Sequence, residues 1–494
     1  MLPQLVKGTI SLLKKFSKMD IKKLTIKEAH ELLTKKKITV LELLDAVLEE
    51  AGKTNKELNA YLEIFDDTRA QAEIAQKMID SGKATLLTGI PLAIKDNILI
   101  KGKIASSASK ILENYRASYD ATVIKKLRDA GVIFVGRTNM DEFAMGGSTE
   151  NSAFGVTKNP HDKTRVSGGS SGGSATAVAA GMALGALGSD TGGSIRQPAS
   201  FCGVVGIKPT YGTVSRSGVM AMASSLDQIG SFGKTVEDAQ IIFDVIKGHD
   251  PMDSTSYPDD MVKGNGKKPK VIGVPVDFVR AKGVDPRVLK NFEESLEKMK
   301  SAGYEIREIS LPSLAYGLSV YYILMPAEVS SNMARFDGMR YGYHADGANL
   351  LEDYGRSRGE GFGREVRRRI LLGTYVLSSG YYDAYYGRAC ALREVLRGEL
   401  DKAFKEIDIL ATPTSPIPAF KIGEKTSDPL AMYLADVFTV PVNIAGVPGI
   451  SVPSGFVEED GKKLPLGIQF IAPHFGEDAL FTVGKDFERV RELI

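Results

Sequence analysis

The sequence of 494 residues has no tryptophan, two cysteines and five histidines. Cys202 and Cys390 cannot form a disulfide framework, so we expect a reducing compartment. The histidines are scattered without the spacing of metal ligands, and we therefore expect no metal site. The location predicted is cytoplasmic, with an organellar one left open because residues 1–19 contain four lysines and no acidic residue.

Long apolar runs and an excess of either charge are also missing. No window approaches eighteen consecutive apolar residues, which argues against a membrane partner. Net charge is +2, from 63 basic and 61 acidic residues, so we expect no extended positively charged surface that binds nucleic acid. The composition is that of a globular protein, with 43% hydrophobic and 25% charged residues.

Strand and helix patterns alternate along most of the chain, and this predicts an α/β fold with a mixed sheet covered by helices. Residues 1–19 are predicted to be a non-catalytic extension of the domain at 20–494. Within that domain we expect a helical hairpin at about 25–52 and a catalytic core at about 60–494. Capping boxes at Thr25 with Glu28 and at Thr39 with Glu42 mark the starts of the two hairpin helices.

Two clusters of glycine and serine, at 167–174 and 192–194, flank a segment of small apolar residues. A flexible linker is one interpretation, but a linker does not explain the apolar segment between the clusters. We predict a buried helix there, between two turns where the backbone approaches a ligand closely.

Ser194 ends a run, Gly188 to Ser194, in which two glycines precede the serine. Successive unobstructed N–H groups in such a turn can form an oxyanion hole beside a nucleophilic hydroxyl. Phosphate-binding loops look similar, but the Gly-Lys-Ser/Thr of a Walker motif is missing.

A serine nucleophile needs a base, and no histidine lies in a glycine-rich turn. Lys95 ends an apolar stretch, Pro91 to Ile94, and burial there would lower its pKa toward neutrality. The alternative is a lysine that reaches water at the end of a strand.

These motifs together resemble the amidase signature family, and the resemblance extends over about residues 20–480. It implies one large domain, with Ser194 as nucleophile, Ser170 as a bridging serine on a cis peptide, and Lys95 as base. It also implies an oxyanion hole of backbone N–H groups around Thr191, Gly192, Gly193 and Ser194. The segments that carry it are 94–97, 168–174, 188–199, 201–203 and 206–210.

Later segments resemble one branch of that family, the glutaminase subunits of aspartyl/glutamyl-tRNA amidotransferases, which are the A subunits of those complexes. That resemblance places glutamine binding on Arg369 and Asp436, and a substrate-side tyrosine on Tyr321. An arginine suits the α-carboxylate of free glutamine and a carboxylate suits its α-ammonium. The segments are 248–256, 335–342, 368–374, 379–386 and 443–450.

The same resemblance implies a division of labour within a complex. This chain would use no cofactor and would release ammonia from L-glutamine through an acyl-serine. A transamidase, the B subunit, would use ATP and Mg²⁺, bind most of the tRNA, and amidate Glu-tRNA(Gln) or Asp-tRNA(Asn). A small third protein, the C subunit, would hold the two together. The alternatives are a standalone amidase acting on small or acyl amides, and a glycine-rich scaffold or nucleotide binder without enzymatic activity.

Overall fold

The computed structural model describes residues 20–262 and 266–491. The predicted extension at 1–19 lies outside the described residues. Eleven strands are found in this part of the chain: β1 Tyr61–Ile64, β2 Pro91–Lys95, β3 Ile133–Thr138, β4 Gly185–Asp190, β5 Val205–Lys208, β6 Gln228–Gly233, β7 Val271–Pro275, β8 Glu305–Ile309, β9 Ile409–Pro413, β10 Gly449–Glu459 and β11 Lys462–Ile471.

The α-helices of the described ranges separate these strands or follow them. They are α1 Ile26–Thr34, α2 Val40–Leu58, α3 Thr68–Asp80, α4 Thr122–Asp129, α5 Gly172–Ala179, α6 Arg196–Cys202, α7 Val236–Ile246, α8 Val276–Val279, α9 Pro286–Ser301, α10 Gly317–Asn332, α11 Leu350–Gly361, α12 Arg364–Leu377, α13 Arg388–Ala403, α14 Pro429–Tyr433, α15 Val440–Ala445 and α16 Glu477–Val490.

All eleven strands join one mixed sheet in the order β1-β3-β2-β4-β6-β5-β10-β11-β9-β7-β8. Strand β2 runs parallel to both neighbours, β3 and β4, and β7 runs parallel to β8 and β9. The other pairs are antiparallel, including the long hairpin of β10 and β11. Because β2 and β4 are parallel neighbours, the residues that end them meet at one edge of the sheet.

Helices cover both faces of the sheet, as β4 shows. A Cβ added at Gly185 would lie 2.5 Å from Ile242 of α7. One added at Gly188 would lie 2.9 Å from Ser171 Oγ and 3.1 Å from Ile195. Positions three apart on a strand point to opposite faces, so different helical layers pack on the two sides. The predicted α/β fold with a helix-covered mixed sheet is confirmed.

The predicted capping boxes are both present. Thr25 and Glu28 exchange side chain-to-backbone hydrogen bonds at the start of α1, and Thr39 and Glu42 do so at the start of α2. These bonds satisfy N–H groups that a helix leaves unpaired at its first turn. The resulting hairpin packs its apolar face on the main core. Of the described helices, none is long and apolar enough to cross a bilayer.

Two segments differ from the prediction. The small-residue segment after the first glycine cluster is helical only to Ala179, and strand β4 begins at Gly185. The strand β6, whose sequence is Gln-Ile-Gly-Ser-Phe-Gly, was not predicted at all. Both strands lie in the interior of the sheet and all their residues are buried, so small residues replace the usual β-branched pattern.

Candidate active site

Lys95 lies at the carboxyl end of β2, beside the end of β4, and is fully buried. Its Nζ lies 2.8 Å from Ser170 Oγ, 2.7 Å from Ser171 Oγ and 2.9 Å from Ser189 Oγ. The carbonyl oxygen of Ser189 is 3.2 Å away. The predicted burial of Lys95 is therefore confirmed, and its amine contacts the serine to which the resemblance gives the bridging role.

Burial lowers the pKa of Lys95 to about 7, although the carboxylates of Asp141, Asp190 and Asp227 favour its charged form. Near neutral pH a large share of the amine is uncharged and can accept a proton. The Ser171 hydroxyl already donates to the carbonyl oxygen of Ser189, 3.1 Å away. This leaves Ser170 better placed than Ser171 to exchange a proton with the amine.

A buried ion pair holds the turn that carries Ser194. The Asp190 carboxylate accepts from Arg196 Nε at 3.0 Å and Nη2 at 2.9 Å, and also from the backbone N–H of Ile195. Burial alone would raise the pKa of Asp190, but the Arg196 guanidinium holds it well below its usual range. Asp190 and Arg196 thus form a buried ion pair that supports the turn.

The same carboxylate changes the predicted oxyanion hole. The N–H of Gly193 donates to Asp190 Oδ1 at 2.8 Å, so this donor is already engaged. Across the ranges that the structure describes, the N–H groups of Thr191, Gly192 and Ser194 have no acceptor. In this geometry the other three N–H groups are available to a substrate oxygen, while that of Gly193 is shared with Asp190; the oxyanion hole stays a prediction.

Two contacts that the sequence analysis did not single out fix this turn further. Asp227 accepts from Thr191 Oγ1 at 2.7 Å, and Thr439 Oγ1 donates to the Gly192 carbonyl oxygen at 2.7 Å. Gly193 has a φ of +140°, and a Cβ there would lie 2.2 Å from Thr439 Oγ1. Only glycine fits that position, since both conformation and space exclude a side chain.

The peptide bond between Gly169 and Ser170 is cis, as the resemblance implied. The backbone N–H of Ser171 donates to the Ser194 carbonyl oxygen at 3.1 Å, which ties the two glycine clusters together. The hydrogen bonds of the described residues do not include one between the side chains of Ser170 and Ser194. The contact that Ser170 would make with Ser194 as a bridging serine is thus not formed in this structure. Hydrogen bonds of this kind often close only when substrate binds.

A cleft of about 110 Å³ lies beside this turn, and both Arg369 and Asp436 line it. The Nε of Arg369 donates to Glu365 Oε1 at 2.8 Å. Its guanidinium carbon is 5.8 Å from the ring centroids of both Tyr322 and Tyr433. Glu365, one helical turn earlier on α12, was missed by the sequence analysis; its spacing of four from Arg369 was the available signal.

Asp436 lies where the cleft meets the turn of Ser194. A Cβ on Gly193 would lie 3.4 Å from Asp436 Oδ1, and one on Gly147 would lie 3.6 Å from Oδ2. Burial, together with the charge of Asp190, raises the pKa of Asp436 to about 8. A cation bound against this carboxylate would favour its charged form, so binding would release its proton.

Tyr321 is buried on α10 and packs against the oxyanion turn. A Cβ on Gly192 would lie 2.8 Å from Tyr321 Cζ and 2.9 Å from its hydroxyl oxygen. The structure therefore places Tyr321 and Asp436 against the turn that carries Ser194, and Arg369 lines the same cleft as Asp436. The arrangement combines a hydroxyl nucleophile, a base of lowered pKa and a cleft lined by several charged side chains, with Arg369 and Asp436 among them.

The sequence matches the Amidase family over residues 42–481. The chain belongs to the Amidase family. Among its relatives is the A subunit of the glutamyl-tRNA(Gln) amidotransferase of Ruminiclostridium cellulolyticum, 51% identical over 479 residues, with 95% of this chain and 98% of the relative covered. The protein of the same name from Carboxydothermus hydrogenoformans is 50% identical, over 96% of this chain and 99% of the relative.

Solved structures of this family share the fold. The A subunit of the glutamyl-tRNA(Gln) amidotransferase of Thermotoga maritima superposes with a TM-score of 0.79 at 41% identity, and the match covers 96% of each chain. The peptide amidase of Stenotrophomonas maltophilia gives a TM-score of 0.76 at 27% identity, over 94% of this chain and 96% of that one. The amidase fold thus serves both one component of an amidotransferase and a peptide amidase.

Proposed function

We propose that this chain is the glutaminase subunit of a tRNA-dependent amidotransferase, releasing ammonia from L-glutamine through an acyl-serine on Ser194. The observation that carries the proposal is that Arg369 and Asp436 both line the cleft beside that serine. A free amino acid carries a carboxylate and an ammonium, which these two groups complement. The relatives named as the A subunits of amidotransferases support the same function.

The proposed chemistry begins with neutral Lys95. It accepts the proton of Ser170 while Ser170 accepts that of Ser194, and Ser194 Oγ attacks the amide carbon of glutamine. The contact between the two serines must close in this step. The N–H groups of Thr191, Gly192 and Ser194 stabilise the oxyanion.

The intermediate then collapses. The relay returns the proton to the leaving nitrogen, the carbon–nitrogen bond breaks, and ammonia departs. Water next attacks the glutamyl ester and gives a proton to the relay, which returns it to Ser194 Oγ as the bond between that oxygen and the acyl carbon breaks. The products are glutamate, ammonia and free enzyme, so atoms and protons balance.

In the proposed complex, the ammonia is consumed by a partner protein that amidates the amino acid on a tRNA. The B subunit, a transamidase, would activate Glu-tRNA(Gln), Asp-tRNA(Asn) or both with ATP and Mg²⁺ and would make most of the tRNA contacts. The small C subunit would complete a heterotrimer. The proposed location is the cytoplasm.

Replacing Arg369 by alanine tests the substrate. We expect kcat/KM for glutamine to fall by about 100-fold, because the α-carboxylate loses its charged partner. Acylation of Ser194 by an uncharged amide or an acylating probe is expected to continue. Steady-state kinetics on both substrates measure this difference. Equal losses on both would favour the standalone amidase over a glutaminase.

Glu365 is expected to position Arg369 without touching the substrate. Glu365→Ala should raise KM for glutamine about tenfold and leave kcat nearly unchanged, since Arg369 Nε loses the acceptor at 2.8 Å. Glu365→Gln keeps an acceptor at that place and should recover most of the affinity. A fall in kcat with KM unchanged would contradict the positioning role. So would a Glu365→Gln variant that binds the substrate no better than Glu365→Ala.

A further inference from the structure

Two walls of the cleft come from segments that are far apart in the chain. One wall is the loop at 146–151, which follows β3, and the other is the first half of α12, with Glu365 and Arg369. Asp141 and Glu142 lie between β3 and that loop, and both of their side chains are buried. Each of these adjacent carboxylates holds a different wall.

Asp141 holds the loop. Its carboxylate accepts from the backbone N–H groups of Thr149 at 2.9 Å and Asn151 at 3.2 Å. The backbone N–H of Asp141 donates to the Ser170 carbonyl oxygen at 3.2 Å. The segment that carries Glu142 is thereby attached both to one wall of the cleft and to the serine cluster.

Glu142 holds the start of α12. Its two carboxylate oxygens accept from the Gly363 N–H at 2.9 Å and 3.1 Å, and Oε1 also accepts from the Ser109 hydroxyl. Gly363 directly precedes the helix, so the helix itself offers no partner to this N–H. In a capping box, a glutamate at the third helical position would accept from it. That position is Val366 in α12, and Glu142 takes over this role from another segment.

The second half of α12 is held by packing instead. A Cβ has no room at Gly373, because the Pro326 carbonyl oxygen of α10 fills its place. The first turn of α12 contains Glu365, the acceptor of Arg369 Nε, two positions after Gly363. Loss of the bond from the Gly363 N–H would therefore loosen the turn that orients the Arg369 guanidinium.

We propose that Glu142 is a positioning residue for glutamine binding, which holds the first turn of α12 and so orients Glu365 and Arg369 toward the α-carboxylate of the substrate. This inference rests on the proposed function and names a further residue for it. Glu142 is not among the described residues that line the cleft, so it acts on the substrate through Arg369. Because the α-carboxylate does not react, losing Glu142 should weaken binding and leave the chemical step unchanged.

The first test replaces Glu142 by leucine, which nearly keeps the volume of the side chain and removes both acceptors. In the full chain, assayed with the proteins that copurify with it, we expect KM for glutamine to rise about tenfold and kcat to stay nearly unchanged. Glu142→Gln keeps an acceptor for the Gly363 N–H and should restore most of the affinity. Glu477→Leu is the matched control, with KM like the parent. Glu477 is also buried, and it accepts from the Thr210 N–H at 2.7 Å, outside the cleft.

A double-mutant cycle shows whether Glu142 acts through Arg369. Glu142→Leu added to Arg369→Ala should lower kcat/KM no further, because the group that Glu142 positions is already gone. A further fall of about tenfold in the double variant would show a general structural role and overturn the proposal. A KM like that of the parent in Glu142→Leu would also overturn it.

Gly363→Ala tests the same contact from the helix and decides the question if Glu142→Leu does not fold. A Cβ at Gly363 would collide with Glu142 Oε2, so KM should again rise, and an unchanged KM would contradict the role. Gly355→Ala, where the space is open, is its control and should behave like the parent. Labelling of Ser194 by an uncharged acylating probe should proceed at the parent rate in every variant. A parent protein that is labelled by this probe but releases no ammonia from glutamine would overturn the proposed function itself.

Discussion

Replacement of Ser194 by alanine is expected to lower kcat for glutamine hydrolysis by at least about 10⁴-fold. The nucleophile would be lost, while the groups that line the cleft, Arg369 and Asp436, stay in place. Glutamine should therefore still bind with an affinity close to that of the parent protein. Ammonia release measures the first quantity, and calorimetric titration with glutamine measures the second.

The matched control is Ser200→Ala, which removes a buried hydroxyl on the next helix, α6. It should retain activity, because Ser200 lies outside the relay and the cleft. Rapid quenching of the parent enzyme during turnover should yield a glutamyl adduct on Ser194, detected by mass spectrometry of the peptide. Turnover with no adduct on that residue, or a Ser194→Ala variant as active as Ser200→Ala, would rule out the acyl-serine.

The alternation of strands and helices could be predicted from the sequence, because most elements away from the centre of the sheet carry the usual hydrophobic periodicity. The sequence predicts a strand at Val271–Pro275 and a helix at Pro286–Ala302, and the structure has β7 at Val271–Pro275 and α9 at Pro286–Ser301. The strand order was not readable. β5 pairs with β6 and with β10, and β10 lies about 240 residues further along the chain; sequence periodicity does not encode which strands will meet.

The failures at β4 and β6 have a common physical cause. Both are central strands of small residues, such as Gly185 and Gly230, whose neighbours approach too closely for side chains. A Cβ on Gly230 would lie 2.0 Å from the Ile207 carbonyl oxygen. Because glycine, alanine and serine make up at least half of each strand, propensity alone favoured a helix for one and gave no signal for the other.

The candidate site divides in a similar way. Lys95, Ser170 and Ser194 lie in local motifs dense enough to be singled out from the sequence. Asp227 and Thr439 act on the same turn from 36 and 247 positions away, through single hydrogen bonds. The sequence around an isolated aspartate or threonine does not predict such a contact. The engaged N–H of Gly193 was unpredictable for the same reason, since it depends on where the Asp190 carboxylate points.

Replacement of Lys95 by methionine is expected to lower kcat by at least about 10³-fold, because the relay loses its proton acceptor. The parent kcat should depend on pH. Since burial lowers the pKa of Lys95 to about 7, the amine is protonated and inactive below that pH and neutral above it. Activity should therefore rise about tenfold per pH unit on the acid side and level off above neutrality. The Lys95→Met variant should lack this inflection.

The quantity to follow is kcat at saturating glutamine, because Asp436, with its pKa raised to about 8, titrates in the free enzyme and affects binding. Lys208 provides the matched control. It is equally buried, its pKa is also lowered to about 7 by burial, and its Nζ donates to the Pro209 carbonyl oxygen at 2.7 Å rather than to a serine. The kcat of folded Lys208→Met should keep its inflection near pH 7. Loss of the inflection in Lys208→Met with its retention in Lys95→Met would move the base from β2 to β5. Only an amine in contact with Ser170 can start the proposed relay, and of these two lysines Lys95 alone makes that contact.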